Sequence, residues 1–506
     1  MSTKPPQHAM ARHPVALLPQ LPGAVMVDEP RIQHWLAAAG DDSAGQARVH
    51  SDTRSLHASD CFVALQGERF DAHAFLPEAA ALGVGVALVH TGLATSGLAG
   101  AQVPDTRKAL AQWAGAWRQT MDLPLIAVTG SNGKTTVTQM IASILQAAHG
   151  EHSLATAGNF NNDIGVPLTL LRLRNHHQCA VVELGMNHPG EIAGLAAMAQ
   201  PTVALVNNAQ REHLEFMHSV DAVAAENATV FQALAAHGAA VFPHSDRYTQ
   251  HWRDAAAALA RDIQVWTFCD QDDSASVYGT AQWQGAHWQL HMRTPLGELH
   301  TRVALAGQHN VRNALAAAAC ALASGISVSA VEQGLRTFKA VSGRSRAAVL
   351  QRGTQTVGLV DDTYNANPDS VQAAVAVLAA MPAPRWLVLG DMGEVGAQGL
   401  AYHQEVLAAA MAAGIERIDV AGQWWREVYA LHDEASANAA RLHWHADVDA
   451  LAHAAARMGE DLGAASVLVK GSRFMRMERV VRALEQAWPS AGHGESVGQE
   501  GARHAA

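Results

Sequence analysis

Residues 125–136 read Leu-Ile-Ala-Val-Thr-Gly-Ser-Asn-Gly-Lys-Thr-Thr, and this stretch decides the fold. Its apolar first half predicts a buried strand, Gly130 and Gly133 a tight turn, and the apolar spacing along 135–148 one face of a helix. Backbone N–H groups of such a turn and the positive end of the helix attract a phosphate group. We therefore predict an ATP-binding loop, with the Thr135 hydroxyl on Mg²⁺. Its predicted nucleotide-binding residues are Gly130, Ser131, Asn132, Gly133, Lys134, Thr135 and Thr136.

The loop is shorter than the usual phosphate-binding loop. The usual pattern has a further glycine five residues before the second one, where this chain has Val128 inside the strand. An ordinary strand-to-helix turn would explain Gly130, but it would not explain Gly133, Lys134 and Thr135 together. The short form Gly-x-x-Gly-Lys-Thr therefore still indicates nucleotide binding.

Length and composition exclude several classes of protein. At roughly 150 residues per domain, a chain of 506 residues predicts about three domains. The net charge of −11, with no basic tract, argues against general nucleic-acid binding. No run of about 18 apolar residues and no secretory signal pattern occurs, so we expect no membrane span. The cysteines at 61, 179, 269 and 320 fit no disulfide or zinc framework, which indicates a reducing, cytoplasmic setting.

Strand and helix patterns alternate along the chain and predict an α/β fold of three domains. We expect a small mixed domain at 1–121, a central P-loop-type parallel sheet with helices on both faces at 122–338, and a doubly wound α/β domain at 339–489. The tail 490–506, rich in Gly, Ala, His and Glu, is expected to be disordered.

Four finer predictions concern single segments of these domains. We expect a loop at 91–102, a helix at 220–236, an antiparallel edge at 265–305 and a helix at 474–488.

Glu183 and His213 each follow a predicted strand of the central sheet. Because the carboxyl ends of parallel strands share one edge of a sheet, both side chains would face the phosphate loop, where they can hold Mg²⁺. With Lys134 they form the predicted catalytic group. The alternatives are a surface ion pair for Glu183 and a structural role for His213, one of 28 histidines.

Four further polar runs fit caps or turns when each is taken alone, since Asn, Asp and Ser favour such places. In the last run we expect Lys470-Gly-Ser to start a helix, which suits an anion. The runs lie at 159–167, 307–316, 361–370 and 470–478.

Taken together, these motifs resemble those of the Mur ligases of peptidoglycan synthesis. The resemblance spans roughly residues 48–486, and within the family it is strongest for the branch that adds D-alanyl-D-alanine. The Asp-Asn-Pro-Arg run typical of the diaminopimelate-adding branch is absent. The motifs occur as Ser51-Asp-Thr-Arg54, Asp71-x-His73, Thr129-Gly-Ser-Asn-Gly-Lys-Thr-Thr136, Glu183-Leu-Gly, Gly307-x-His-Asn-x-x-Asn313, Gly343-Arg344, Asp362-x-Tyr-Asn-Ala-Asn-Pro368, Gly390-Asp-Met-Gly-Glu-Val-Gly396 and Lys470-Gly-Ser472.

The resemblance implies an ATP-dependent ligase that joins D-alanyl-D-alanine to UDP-N-acetylmuramoyl-tripeptide through an acyl phosphate. The three domains would hold the UDP part, ATP and the incoming amine in turn, in a monomer that takes ATP and Mg²⁺ as cofactors and only small molecules as partners. The implied nucleotide contacts are Asn310, Arg344 and Asp362; the implied metal ligands are Thr135, Glu183 and His213. The substrate contacts would be Ser51, Arg54, Asn161, Asn162, Asn365 and Lys470.

One departure from the family concerns a lysine that is carbamylated and helps to hold a second Mg²⁺. That position aligns with Asn227, and no lysine occurs between Lys134 and Lys339. Our hypothesis is that Asn227 or its neighbour Glu226 supplies the missing oxygen. The alternative is that both residues only lie on a helix surface.

Two other functions fit the phosphate loop. A ligase similar to folylpolyglutamate synthase shares the loop, but the motifs at 51–73 and 364–368 argue against it. A nucleotide switch without bond formation would not need a third α/β domain with its own anion site around Lys470.

Overall fold

The computed structural model describes residues 13–40, 47–68, 70–285, 287–352, 355–431, 439–458 and 463–488. The predicted disordered tail at 490–506 lies outside these ranges. The described strands form three sheets, which follow one another along the chain. Among the helices described, none has the length and apolar character needed to cross a membrane. The α/β fold expected from the sequence is confirmed.

The first sheet has five strands in the order β1-β5-β4-β3-β2, with only β1 antiparallel to its neighbour. Its strands are β1 (Val25–Val27), β2 (Val49–His50), β3 (Cys61–Val63), β4 (Val86–Val89) and β5 (Ala99–Gln102). The helices around it are α1 (Glu29–Ala39), α2 (Leu76–Ala81), α3 (Leu93–Ser96) and α4 (Thr106–Gln119).

The loop expected at 91–102 is wrong, because this segment contains α3 and β5. Gly92 and Gly97 cap α3 with positive φ angles, whereas Gly100 is needed for close packing of β5. A Cβ atom on Gly100 would lie 1.9 Å from the carbonyl oxygen of Ala87 on β4. Composition alone made this strand look like a loop.

The central sheet has nine strands in the order β14-β13-β12-β11-β10-β9-β6-β8-β7. The strands are β6 (Leu125–Thr129), β7 (Ser153–Ala155), β8 (Cys179–Glu183), β9 (Val203–Val206), β10 (Ala239–Pro243), β11 (Gln264–Cys269), β12 (Val277–Trp283), β13 (Trp288–Thr294) and β14 (Gly297–Val303). The helices are α5 (Lys134–His149), α6 (Gly165–Leu170), α7 (Glu191–Ala199), α8 (Leu214–Met217), α9 (Val220–Ala228), α10 (Thr249–Ala257), α11 (Gln308–Ala323) and α12 (Val328–Thr337).

The antiparallel edge begins later than expected, since β11 still pairs in parallel with β10 and only β12 to β14 are antiparallel. The helix expected at 220–236 ends at Ala228 and continues as a 3₁₀ turn, Thr229–Ala233. Leu234 then leaves the helical conformation (ψ 138°), and β10 begins at Ala239.

The third sheet has six strands in the order β15-β16-β20-β17-β18-β19, of which only β15 is antiparallel. The strands are β15 (Arg346–Arg352), β16 (Gln355–Asp362), β17 (Arg385–Gly390), β18 (Arg417–Ala421), β19 (Leu442–His445) and β20 (Ser466–Lys470). The helices are α13 (Pro368–Ala379), α14 (Gly399–Ala412), α15 (Gln423–Leu431), α16 (Val448–Met458) and α17 (Glu478–Ala487).

The helix expected at 474–488 begins only at Glu478. A 3₁₀ turn, Arg473–Met475, and the left-handed residue Arg476 (φ +54°) come first. Lys470-Gly-Ser therefore ends a strand and does not start an α-helix, so the expected helix N-terminus at this anion site is wrong.

The first and central sheets share one apolar core. Helix α4 lies between them with Trp113 and Trp117 fully buried. The Trp113 indole donates to the Pro14 carbonyl on one side (2.8 Å), and the Trp117 indole donates to the Leu173 carbonyl on the other (3.0 Å). These contacts fix the first sheet against the central one.

Candidate active site

A cavity of about 920 Å³ opens where the carboxyl ends of β6, β8 and β9 meet those of β16 and β20. The chain runs from β6 past β8 to β7, and from β8 back past β6 to β9. Where connections from neighbouring strands run in opposite directions, a crevice forms at the carboxyl ends, and α/β sheets bind ligands there. The cavity is lined by most of the predicted site residues: Ser131, Asn132, Gly133, Lys134, Thr135, Thr136, Asn161, Asn162, Glu183, His213, Asn310, Arg344, Asp362, Asn365 and Lys470.

The phosphate loop has the conformation that its glycines allow. Gly130 (φ +127°) and Gly133 (φ +81°) both have positive φ angles. A Cβ on Gly130 would lie 3.0 Å from the backbone nitrogens of Asn207 and Asn208. Gly133 caps α5 without any side-chain hydrogen bond, so the first N–H groups of this 16-residue helix face the cavity with their positive end.

The polar segment after β9 supports this loop. The Asn132 backbone N–H donates to the Asn208 side chain (2.8 Å), and the Asn207 amide donates to the Asn132 carbonyl (2.8 Å). The Asn132 amide also donates to Gln210 (2.6 Å). The loop therefore needs no ligand to keep its shape.

Lys134 is surrounded by acceptors. Its ammonium donates to the carbonyls of Gly130 (2.7 Å) and Ser131 (3.0 Å) and to Glu212 Oε1 (2.6 Å). The Lys134 and Glu212 side chains are 13% and 10% exposed. This is a nearly buried ion pair within the phosphate loop.

Glu183 ends β8 and is 1% exposed. Its Oε1 accepts a hydrogen bond from the Asn161 amide (2.8 Å). Its Oε2 is buried without a hydrogen-bond partner among the described residues, and so is Oε2 of Glu212. Buried unpaired carboxylate oxygens are costly, and they are ligands that Mg²⁺ prefers. The donor set in this cavity therefore fits a divalent cation.

His213 follows β9 in a left-handed conformation (φ +51°) and lies between two carboxylates. Its Nε2 is 3.4 Å from Glu212 Oε1, and its Nδ1 is 2.6 Å from Glu394 Oε2. Burial lowers the pKa of His213, but hydrogen bonding and charge from Glu212 and Glu394 outweigh burial and raise the pKa to about 9. The raised pKa favours the protonated ring, which lies between the segment after β9 and the loop after β17.

The structure does not bring Asn227 or Glu226 to the cavity, since neither lines it. Asn227 is fully buried; its Oδ1 accepts from the Thr129 hydroxyl (2.6 Å) and its amide donates to the Val223 carbonyl (2.9 Å). Both oxygens of Glu226 accept from backbone N–H groups at the start of α7, those of Gly190 and Ile192 (2.9 Å each). Helix α9 packs against α7, so its polar side chains serve the fold.

The C-terminal wall of the cavity carries a second buried ion pair. Asp362 and Lys470 are register partners on β16 and β20, and their charged atoms are 2.6 Å apart. Burial raises the pKa of Asp362, but the charge of Lys470 outweighs burial and the pKa is lowered. Nearby, the Arg344 guanidinium lies 3.9 Å above the centre of the Tyr364 ring. This wall therefore offers cations and an aromatic face.

Asn310 belongs to a chain of amides at the start of α11. The Asn313 amide donates to Asn310 Oδ1 (2.9 Å), and the Asn207 amide donates to Asn313 Oδ1 (3.1 Å). The Asn310 amide donates to the Ala306 carbonyl (2.7 Å). These bonds join the start of α11 to the segment that supports the phosphate loop.

Ser51 and Arg54 do not line this cavity. They lie at the 3₁₀ turn Thr53–Ser55 of the first sheet region, where Arg54 is bound to Asp52 (2.7 Å) with 68% of its side chain exposed. A ligand that touches both Arg54 and the phosphate loop must therefore extend out of this cavity.

Sequence reasoning missed several residues of the site. Glu212, Asn207 and Asn208 lie in the same segment after β9 as His213, but only His213 was selected from that segment as a candidate. Arg211 and Glu394 were missed because their partners lie in other parts of the chain: Arg211 binds Asp369 (2.7 Å) and Glu394 binds His213.

Comparison with known proteins gives consistent matches. The Mur ligase middle domain matches residues 128–321, and the Mur ligase, glutamate ligase domain matches residues 345–473. The UDP-N-acetylmuramoyl-tripeptide–D-alanyl-D-alanine ligase of Escherichia coli (strain K12) is 40% identical over 87% of this chain and 93% of its own length. The crystal structure of MurF from Acinetobacter baumannii has a TM-score of 0.77 at 34% identity, covering 87% of this chain and 93% of that one. The MurF ligase of Thermotoga maritima, solved in complex with ADP, shares the fold at 22% identity (TM-score 0.72, 88% and 98% covered).

Proposed function

Because this chain belongs to the Mur ligase family, we propose that it joins D-alanyl-D-alanine to UDP-N-acetylmuramoyl-tripeptide at the expense of ATP. The observation that carries this proposal is one cavity that combines a phosphate loop with an Asp362–Lys470 wall from a second α/β sheet. The Escherichia coli relative, which is 40% identical over 87% of this chain, is named for that activity.

The reaction has two steps that concentrate negative charge. The tripeptide carboxylate attacks the γ-phosphorus of ATP, and the bond from that phosphorus to the bridging oxygen breaks, giving an acyl phosphate and ADP. The D-alanyl-D-alanine amine then attacks the acyl carbon, loses a proton, and inorganic phosphate leaves. Positioned cations and N–H donors stabilise both transition states.

The residues of the cavity divide between the two steps. We assign Lys134 and the N–H groups of Gly133 to Thr136 to the ATP phosphates. Thr135, Glu183 and His213 would hold Mg²⁺, which neutralises phosphate charge when bound. To do so, His213 would have to lose a proton and leave its carboxylate partners. Asn310, Arg344 and Asp362 are the proposed nucleotide contacts.

The remaining predicted residues are assigned to the two other substrates. Asn161 and Asn162, beside Glu183, would contact the muramoyl-peptide chain. Ser51 and Arg54, which lie outside the cavity lining, would contact the UDP end. Asn365 and Lys470 would receive the dipeptide, and the carbonyl of Asn365 already accepts from Lys470 (2.8 Å). We further propose that the enzyme acts as a monomer in the cytoplasm.

The test is phosphate release from ATP with each substrate omitted in turn. We expect release only when UDP-N-acetylmuramoyl-tripeptide and D-alanyl-D-alanine are both present, with one pentapeptide product, identified by mass spectrometry, per phosphate. A folylpolyglutamate synthase-like ligase would instead respond to a folate and glutamate. A nucleotide switch would release phosphate without either substrate, and that result would contradict the proposal.

A further inference from the structure

We infer that Glu212 competes with the nucleotide phosphates for Lys134 and, once displaced, gives a carboxylate oxygen to a divalent cation in the same cavity. This inference rests on the nucleotide site of the proposed function. It assigns to Glu212 the role that the sequence had suggested for Asn227 or Glu226.

Lys134 already uses all of its hydrogen-bond donors. An ammonium group has three N–H donors, and here all three point to protein oxygens: the Gly130 carbonyl, the Ser131 carbonyl and Glu212 Oε1. A phosphate oxygen can therefore bind Lys134 only by replacing one of them. The two carbonyls belong to the loop backbone, whereas Glu212 can move by rotating its side chain. Glu212 is the partner that yields.

A displaced Glu212 carboxylate needs a new partner. Glu212 is nine-tenths buried, and its second oxygen already lacks a partner among the described residues. Without Lys134, Glu212 would keep only the His213 ring, 3.4 Å from its Oε1, while phosphate charge arrives beside it, which is unfavourable for a nearly buried carboxylate. A divalent cation shared between carboxylate and phosphate oxygens removes that penalty.

The backbone around Glu212 keeps its side chain at the cavity. Its neighbours on both sides have partners other than Glu212: Arg211 is bound to Asp369, and His213 Nδ1 lies 2.6 Å from Glu394 Oε2. The Glu212 backbone N–H donates to the Gln210 carbonyl (2.8 Å). A side-chain rotation therefore keeps the carboxylate in the cavity, where Glu183 offers a second unpaired oxygen. Glu226 has no such freedom, because both of its oxygens cap α7.

The exchange predicts two opposite effects of Glu212→Gln. Without metal, ADP has no carboxylate to displace, so we expect ADP to bind roughly tenfold more tightly than to the wild type, a change of about 1.4 kcal/mol. With ADP saturating, Mn²⁺ should bind at least tenfold more weakly, because a ligand oxygen is lost. A purely structural role for Glu212 would weaken both interactions or neither.

The experiment measures ADP binding by calorimetry in EDTA, and Mn²⁺ binding to the ADP complex by electron paramagnetic resonance. Glu416→Gln is the matched control, since Glu416 pairs with Arg385 on the surface (3.0 Å) and should leave both affinities unchanged. Glu212→Asp, which keeps the charge on a shorter stem, should retain part of the Mn²⁺ affinity. Thermal melts identify any variant that fails to fold; if Glu212→Gln does, Glu212→Asp carries the test.

Three outcomes separate the hypotheses. Opposite shifts in Glu212→Gln support the exchange. Wild-type affinities for both ADP and Mn²⁺ in this variant overturn the exchange and leave the proposed function intact. Failure of the wild-type protein to bind ADP at all would contradict the proposed function itself.

Discussion

At the scale of single residues, the charge of the site depends strongly on Lys134. It lies at the start of α5, and no lysine occurs between it and Lys339. We expect Lys134→Ala to lower kcat/KM for ATP by at least about 100-fold, since one positioned charge in a water-poor site contributes that much. Lys134→Arg should not restore the activity, because a planar guanidinium does not fit between the Gly130 and Ser131 carbonyls. Steady-state phosphate release measures both variants, and near wild-type rates in Lys134→Ala would refute the assignment.

Asn227 aligns with the carbamylated lysine of the family, but in this structure its side chain makes hydrogen bonds within the fold. Replacing it by Ala removes the acceptor for the Thr129 hydroxyl and the donor to the Val223 carbonyl. We expect the free energy of unfolding to fall by about 1–3 kcal/mol, the usual effect of buried unpaired groups. Urea unfolding measures this change. The Mg²⁺ concentration for half-maximal activity should stay as in the wild type, and a shifted midpoint would return Asn227 to the metal site.

These residues mark what the sequence alone can predict at this scale. The glycines, Lys134 and Thr135 follow from a local pattern, because their function depends on the backbone that they build themselves. The pairing of Lys134 with Glu212 joins positions 78 residues apart and depends on where β9 lies beside β6. No spacing rule encodes that contact.

At the scale of elements, His403 shows how a helix fixes a loop beside the site. It lies on α14 and is fully buried. Its Nδ1 donates to the Gly399 carbonyl (2.6 Å), and its Nε2 accepts from the Met392 backbone N–H (3.0 Å). Only a neutral imidazole can donate and accept in this way. The loop from β17 to α14, which carries Glu394, is therefore held by an uncharged histidine.

This arrangement predicts a specific acid sensitivity. Burial lowers the pKa of His403 to about 4, whereas an unfolded chain has a histidine pKa of about 6.5. As pH falls from about 6.5 to about 4, the unfolded state takes up the proton first, so His403 reduces the free energy of unfolding by up to ~3 kcal/mol.

The variant His403→Asn cannot take up this proton. Its free energy of unfolding should fall less steeply than that of the wild type between pH 6.5 and pH 4. At pH 8 the two proteins should differ only through changed hydrogen bonds and packing. Chemical unfolding at several pH values provides the measurement, and parallel pH profiles would contradict the prediction.

The errors at the element scale share a physical cause. β5 was missed because Ala99, Gly100 and Ala101 are small for packing reasons that only the neighbouring strand reveals. The start of α17 was placed too early because the left-handed residue Arg476 interrupts an otherwise helical pattern. The long apolar strands of the central sheet were predicted well, since continuous apolar runs between helices occur mainly in buried parallel sheets.

At the scale of the whole molecule, the two boundaries between the sheet regions differ in chemistry. The first and central sheets share an apolar core around α4. At the cavity, by contrast, the central and third sheet regions meet through polar side chains. Asn132 and Asn367 exchange hydrogen bonds (2.9 and 3.3 Å), and Arg211 binds Asp369 and Glu405. Polar contacts of this kind open at lower cost than an apolar core, so we expect domain motion at the second boundary.

Arg211 is the side chain through which this boundary can be tested. Its guanidinium donates to Asp369 (2.7 and 3.0 Å) and to Glu405 (2.8 and 3.1 Å), and the pairs are only partly exposed. Removing charge-assisted bonds of about 1.5–3 kcal/mol should reduce the ratio of closed to open molecules by roughly 10- to 100-fold. We expect Arg211→Ala to increase the radius of gyration in small-angle X-ray scattering and to lower kcat, because the cavity walls must meet for the second step. Arg385→Ala, which removes a surface pair with Glu416 inside the third sheet region, is the control and should change neither quantity. If Arg211→Ala scattered like the wild type and kept its kcat, the polar boundary would not govern closure.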